Sequence, residues 1–201
     1  MQFTKPAARG AFWGLALLLL ACGSHNGLLD VCDCTPTAPA SEDFRHDAKH
    51  VPLPNLSPQE ITVATMLSWP QTPVPAPDAP RSGRELQTFH ISHAFVQLTF
   101  EVKSDCDIHM EISDTPDKSA PRAIVETPVD SEYCPARQAY EAQVFVHGTA
   151  LANLFQNADL PKPLPADITG LAFQDDPHST RGSSLVGTVW ELHPAIVKLT
   201  Q

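Results

Sequence analysis

The sequence predicts a mainly β fold: a five-stranded OB-like barrel with one helix between its third and fourth strands, and a short helix docked ahead of it. From Glu85 onward, apolar residues recur with a period of two, which is the period of a half-buried strand. The predicted order is three strands, a helix and two strands, and the first strand is long. That order is typical of an OB barrel. A generic antiparallel α+β sheet is the alternative.

The strands follow from their apolar patterns. In the first, residues 86–103, the apolar positions change parity between Ile91 and Ala94, which predicts a β-bulge in a curved strand. In the second, residues 107–113, apolar and polar side chains alternate without interruption. The remaining strands are expected at residues 122–127, 169–173 and 188–199, and the helix within residues 131–146.

A local signal predicts the short helix ahead of the barrel. Ser57 is placed to cap it, Pro58 suits its first position and Glu60 completes a capping box. We expect this helix at residues 58–68, because the residue before Pro70 is biased away from helical geometry. A proline-rich connector follows.

The segment before that helix, residues 22–56, is expected to be a disordered tether. Of the 20 prolines in the chain, ten lie between Pro36 and Pro80, and the tether also carries a charged stretch. His46 and His50 are four residues apart, but no apolar periodicity surrounds them. The pattern therefore favours a solvated tail.

The charge balance limits the possible partners. The chain has 13 lysines and arginines against 23 aspartates and glutamates, a formal net charge of −10. Binding to a nucleic-acid backbone needs a basic face, so we expect no nucleic-acid partner.

The first 22 residues have the pattern of a targeting segment. Lys5 and Arg9 precede a short apolar run that ends at Ala21 and Cys22. The sequence LLACG resembles the lipobox of bacterial lipoprotein signal peptides. The resemblance implies export, cleavage before Cys22 and a lipid anchor on that cysteine, with the outer membrane favoured because no aspartate follows it. Cleavage leaves 11 basic and 23 acidic residues, a charge of −12.

Export places the cysteines in an oxidising compartment. With Cys22 lipidated, four cysteines remain, and they allow three pairings. We expect a Cys106–Cys134 disulfide, because Cys32 and Cys34 lie in the predicted tether. For that second pair a local disulfide, an intermolecular link and a metal thiolate pair stay open.

Polar residues on the outer face of the barrel predict a metal site. In an OB barrel, His109, Glu191 and His193 lie on neighbouring strands with the same outward parity, and His178 lies in the loop before the last strand. Glu126 joins this row if its strand, residues 122–127, presents that side chain outward, and the sequence leaves the facing of that strand open. Imidazole and carboxylate are ligands of a divalent metal, zinc first. In that hypothesis the three histidines hold zinc and one of the glutamates acts as a base.

A structural interpretation competes with the metal site. His109 and His193 also suit half-buried strand histidines that bond to Glu126 and Glu191 and stabilise the barrel. The chain has no H-E-x-x-H, G-x-S-x-G or P-loop motif. We therefore expect a non-enzymatic, lipid-anchored binding module of the cell envelope, whose ligand is a small molecule, a metal ion or a protein partner. A zinc-dependent hydrolase is the alternative.

Two motifs carry a wider resemblance. The run Asp105-Cys106-Asp107-Ile108-His109 and the run Trp190-Glu191-Leu192-His193-Pro194 look like D-x-D-x-H and W-E-x-H-P motifs of a set of uncharacterised bacterial secreted proteins and lipoproteins. The resemblance covers about residues 60–199 and implies the architecture but no reaction. The predicted divisions are a signal peptide (1–21), the tether (22–56), the short helix with its connector (57–84) and the barrel domain (85–201).

Overall fold

A computed structural model describes residues 31–71, 73–147, 154, 158–177 and 184–200. The predicted signal peptide, Cys22 and His178 lie outside the described residues. The strands are β1 (Gln59–Glu60), β2 (Thr88–Glu101), β3 (Ile108–Ser113), β4 (Arg122–Thr127), β5 (Leu164–Gln174) and β6 (Val186–Leu199). The helices are α1 (His46–Lys49), α2 (Val63–Leu67) and α3 (Cys134–Val146), with 3-10 turns at Ala40–Glu42, Gly83–Leu86 and Ser131–Tyr133.

Strands β2 to β6 close into a five-stranded barrel. β2 pairs antiparallel with both β3 and β5, β3 with β4, and β5 with β6, while β4 and β6 run parallel. This circuit, with α3 between the third and fourth barrel strands, is the OB topology and confirms the predicted fold class.

Strand β2 serves both neighbours because it is bent. The predicted change of register between Ile91 and Ala94 is present, opposite β5, and a second shift lies between Val96 and Leu98, opposite β3. His93 sits at the first bulge with a positive φ of 64°. Bulges of this kind increase the local twist and let one strand turn from one neighbour to the other.

Both faces of β3 are buried. Ile108, Met110 and Ile112 belong to the hydrophobic core, as their period of two predicts. His109 and Glu111 point the other way and are buried too. The outer face of the barrel is therefore covered in this region.

The helix ahead of the barrel differs from its prediction. Gln59 and Glu60 are extended and pair in parallel with Phe89 and His90 of β2. The helix begins later, at Val63, and ends at Leu67; its cap is Thr62, which exchanges side-chain bonds with Thr65. The predicted cap at Ser57 is wrong, because pairing with β2 gives these backbone groups partners that a local capping motif does not take into account.

The predicted tether is wrong from residue 31 onward. Residues 31–51, which we call the strap, pack against the barrel. Val31 is 1% exposed and Arg45 and Lys49 are each 2% exposed. The backbone of Thr37 donates to Lys103 O, and Tyr133 donates its hydroxyl to Val51 O. Buried cationic side chains and hydrogen bonds to distant parts of the same chain hold the strap. Neither kind of contact produces an apolar period in the sequence.

The predicted Cys106–Cys134 disulfide is also wrong. The bonds are Cys32–Cys134, with Cα atoms 5.3 Å apart, and Cys34–Cys106, with Cα atoms 5.9 Å apart. Both distances are normal for disulfides. Because the strap lies on the barrel, each of its cysteines reaches one cysteine of the domain, and all four are paired.

No helix among the described residues is long and apolar enough to cross a membrane.

Candidate metal centre

Three neighbouring strands bring together the polar residues that the sequence predicted. The register of β3 and β4 places His109 opposite Glu126. The parallel register of β4 and β6 places Glu191 opposite Ile124, so His193 follows two residues later on the same face. Four of the five predicted site residues therefore meet on the outer face of the barrel.

Glu126 is the bridge between the two histidines. Its Oε1 atom lies 2.6 Å from His109 Nδ1, and its Oε2 atom lies 3.0 Å from His193 Nδ1. The same His193 nitrogen is 3.4 Å from Glu191 Oε1. The histidine–glutamate contacts required by the structural interpretation are therefore present, and they leave the metal hypothesis open.

Asp107 completes this cluster, although it is not among the ligands predicted from the sequence. Its Oδ2 atom lies 3.2 Å from His193 Nε2, and its Oδ1 atom accepts a bond from Val129 N. One donor atom each from Asp107, Glu126 and His193 lie within 4.8 Å of one another. We call these three residues the barrel-face site. The signal for Asp107 was its shared parity with His109.

His193 has no exposed surface, yet neither of its ring nitrogens makes a directed hydrogen bond. His109 Nε2 and Glu191 Oε1 are also buried without a hydrogen-bond partner. Buried polar atoms are nearly always paired, so each of these atoms needs an explanation. A cation bound to one ring nitrogen of His193 and to oxygens of Asp107 and Glu126 would give part of this set a partner.

The acidic residues dominate the electrostatics. Burial alone would lower the pKa of His193, but the carboxylates of Asp107, Glu126 and Glu191 hold it well above its ordinary value. Burial would raise the pKa of Glu126, yet its contacts with His109 and His193 and their positive charge hold it well below its ordinary value. The barrel-face site therefore favours positive charge.

The raised pKa values of two further carboxyl groups show that this region contains more acidic groups than the nearby cationic groups neutralise. Burial, together with Asp175 and Glu126, raises the pKa of Glu191 to about 7. Burial, together with Asp107 and Glu126, raises the pKa of Asp105 to about 6. Neighbouring carboxyl groups that repel one another retain protons unless a bound cation neutralises their charge.

The strap covers the site. Lys49 Nζ lies 3.3 Å from Asp43 Oδ1 and 3.9 Å from Asp175 Oδ1. The rings of His50 and His193 have centroids 6.1 Å apart. A second group of metal-ligand type, Asp43, His46 and His50, lies on the strap itself. The i,i+4 spacing of its histidines is the signal in the sequence, but the absence of apolar periodicity around them predicts a solvated tail, which is wrong here.

The predicted role of His178 lies outside the described residues, and the resemblance to uncharacterised secreted proteins stays a prediction. Comparison of the chain with models of known protein families, with curated proteins and with solved structures finds no match.

Proposed function

We propose that this protein is an exported, lipid-anchored OB-like module that binds a divalent metal ion, zinc first, at the barrel-face site. One observation carries the proposal: His193 is fully buried between the carboxylates of Asp107 and Glu126, with neither ring nitrogen in a directed hydrogen bond. Imidazole nitrogen and carboxylate oxygen are the donor types that zinc takes.

The neighbours of the ligands support the same proposal. His109 Nδ1 holds Glu126 Oε1, which orients the carboxylate and leaves Oε2 facing His193. Val129 N holds Asp107 Oδ1 in the same way and leaves Oδ2 facing His193. Outer-shell bonds of this kind fix ligand geometry in known metal sites.

Binding fits this site better than hydrolysis. A metal hydrolase keeps a coordination position open to water and substrate. His193 has no exposure, Glu191 is 2% exposed, and the ring of His50 on the strap lies beside that of His193. A metal enclosed in this way stabilises the face of the barrel and the seating of the strap.

Zinc titration tests the barrel-face site. In full-length protein treated with chelator, we expect His193→Gln and Asp107→Asn each to bind one zinc ion fewer per chain than the unmodified protein, measured by calorimetry and by elemental analysis. Zinc at a hundredfold excess over its dissociation constant should stabilise the unmodified protein by about 2.7 kcal/mol in thermal unfolding.

His90→Gln is the matched control. His90 is a strand histidine that also contacts a carboxylate, Glu60, but it belongs to neither donor group. Its zinc stoichiometry should equal that of the unmodified protein. Unchanged stoichiometry in folded His193→Gln and Asp107→Asn would falsify the barrel-face site and leave the ion-network interpretation.

The proposed lipid anchor has a geometric consequence. Cys32 is bonded to the barrel domain through Cys134, so Cys22 lies only ten positions before a fixed point. Ten residues reach at most about 35 Å when fully extended. A lipid on Cys22 would therefore hold the barrel close to the membrane surface, where the predicted 22–56 tether would have allowed roughly 100 Å.

Labelling with an alkyne fatty acid tests the anchor. We expect the unmodified protein to be labelled and to sediment with membranes, and with the outer membrane on a density gradient. Cys22→Ala should lose the label and accumulate as the uncleaved precursor, while Ser24→Ala should behave as the unmodified protein. A labelled Cys22→Ala variant contradicts the assignment.

A further inference from the structure

We propose that the strap carries a second divalent-metal site, formed by Asp43, His46 and His50 and open to a groove between the strap and the end of the barrel. The site shares no ligand with the barrel-face site, so it does not depend on the proposed function. It differs from that site in chemistry, with two imidazoles and one carboxylate, and in access to solvent.

The donor atoms come from one short stretch of chain. Helix α1 begins at His46, and His50 follows its last residue, so the two rings stack with centroids 4.0 Å apart. Asp43 Oδ2 lies 3.1 Å from His46 Nδ1 and 3.7 Å from His50 Nε2. One donor atom from each of the three lie within 4.8 Å of one another. Two histidines and one carboxylate form a ligand set suited to zinc and to other late first-row metals.

The orientation of His50 is the second, independent observation. Its side chain is 7% exposed, and its Nδ1 atom lies 2.7 Å from Asp130 Oδ2. Its Nε2 atom is buried, has no hydrogen-bond partner and faces Asp43. A histidine whose Nδ1–H is held by a carboxylate and whose Nε2 is free has the arrangement of a metal-ligating histidine.

Asp43 is also held in place. Lys49 Nζ lies 3.3 Å from Asp43 Oδ1, and the other oxygen, Oδ2, is the one that lies near His46 and His50. The Asp43 side chain is 8% exposed and the Lys49 side chain 2%. Asp43 is therefore a buried carboxylate whose orientation is held by Lys49.

The groove makes this site accessible. It has a volume of about 520 Å³, and its walls include all three ligands together with Ser104, Asp105 and Asp130. The His46 side chain is 34% exposed, in contrast to the 0% of His193. A metal here has room for water or a small anionic ligand in its remaining positions. We therefore expect an exchangeable ion at the strap site and an enclosed ion at the barrel face.

Zinc stoichiometry and exchange test this inference in full-length, untagged protein with its disulfides oxidised. The unmodified protein should bind two zinc ions per chain, and a weak chelator should remove one of them at least tenfold faster than the other. His46→Gln should bind a single, slowly exchanging ion. Because His46 is partly exposed, this substitution should leave thermal unfolding of the metal-free protein unchanged. His90→Gln should keep both ions.

The outcomes separate the two sites. A protein that binds one ion, lost in His46→Gln and kept in His193→Gln, would support the strap site and overturn the barrel-face site. A fast-exchanging ion that His46→Gln and Asp43→Asn both retain would overturn the strap site. Binding of Co²⁺ gives a second readout through its visible absorption. The contribution of the two-imidazole site to that absorption should be lost only in His46→Gln and Asp43→Asn.

Discussion

Removing one disulfide, in a Cys34→Ser, Cys106→Ser double variant, is expected to lower the free energy of unfolding by about 4 kcal/mol. This bond joins residues 72 positions apart, and Cys32–Cys134 joins residues 102 apart. Long loops lose the most conformational entropy when they are closed, so each bond is expected to contribute about 4 to 5 kcal/mol in the chain-entropy model. That is a large part of the 5–15 kcal/mol by which native proteins are stable.

Urea unfolding of the variant measures the loss in free energy of unfolding. Thiol titration tests which cysteines are paired. The Cys34→Ser, Cys106→Ser variant should contain no free thiol, because Cys32 and Cys134 remain bonded to each other. The Cys106→Ser, Cys134→Ser variant is the matched control. It removes both disulfides and leaves Cys32 and Cys34 without their partners in the domain. Its loss of stability should exceed that of the first variant.

Peptide mapping identifies the paired cysteines directly. A protease that cleaves before aspartate separates Cys32 from Cys34 at Asp33. Under non-reducing conditions the peptide that ends in Cys32 should remain linked to the Cys134 peptide. The peptide that begins at Asp33 should remain linked to the Cys106 peptide. A Cys106–Cys134 linked product would contradict the structure.

Replacing Arg45 with methionine is expected to lower the free energy of unfolding by about 3–5 kcal/mol, which is typical when one partner of a buried ion pair is removed. The Arg45 side chain has no exposure, and its two terminal nitrogens lie 2.6 and 2.9 Å from the oxygens of Glu85. Its guanidinium also donates to the carbonyls of Ala79, Pro80 and Gln174. One side chain therefore holds the strap, the connector and β5 together.

Denaturant unfolding at pH 7 measures this loss. The double variant Arg45→Met, Glu85→Gln should recover part of it, because no uncompensated charge is then left in the interior. Arg84→Met is the matched control, since Arg84 lies over the rings of Trp69 and Trp190 and makes no buried ion pair among the described contacts. It should cost about 1 kcal/mol or less. An equally small effect at Arg45 would contradict its role.

The loss at Arg45 should also depend on pH. Burial alone would raise the pKa of Glu85, but Arg45 and the backbone N–H groups of Gln174 and Ser82 hold it below its ordinary value of 4.5. A group with a depressed folded pKa contributes stability that is present above its unfolded pKa and is lost as the pH falls through its folded pKa. The difference between the unmodified protein and Arg45→Met should therefore shrink below pH 4.5.

The strap connects these results to the two proposed metal sites. It supplies all three ligands of the strap site and, through Lys49 and His50, covers the barrel-face site. Loss of a disulfide or of Arg45 should therefore weaken zinc binding as well as stability. A fragment that begins after the strap would lack the strap site altogether.

The barrel and its row of polar side chains could be predicted from sequence because both depend on local periodicity. The alternation around Met110 identifies one strand, and the change of parity between Ile91 and Ala94 marks a bulge that the structure contains. Once the OB order of strands is recognised, the positions of His109 and His193 follow from the side-chain period of two. The facing of Glu126 did not, because its strand is buried on both sides and has no alternation to fix it. These inferences need only near neighbours in the chain and one known topology.

Only the tertiary structure shows which residues cover this row of polar side chains on the barrel. The capping signal at Ser57 was outcompeted by pairing of Gln59 and Glu60 with β2. Residues 31–51 have too few apolar side chains to specify a fold by themselves, and they are ordered by two long-range disulfides and by buried Arg45. By itself, then, the sequence determined the strands and the face of the barrel, whereas contacts between residues far apart in the chain decided the disulfide pairs, the strap and the site that it carries. Such contacts leave no period in the sequence, because disulfides and buried ion pairs join residues that are far apart in the chain and neither requires an amphipathic pattern.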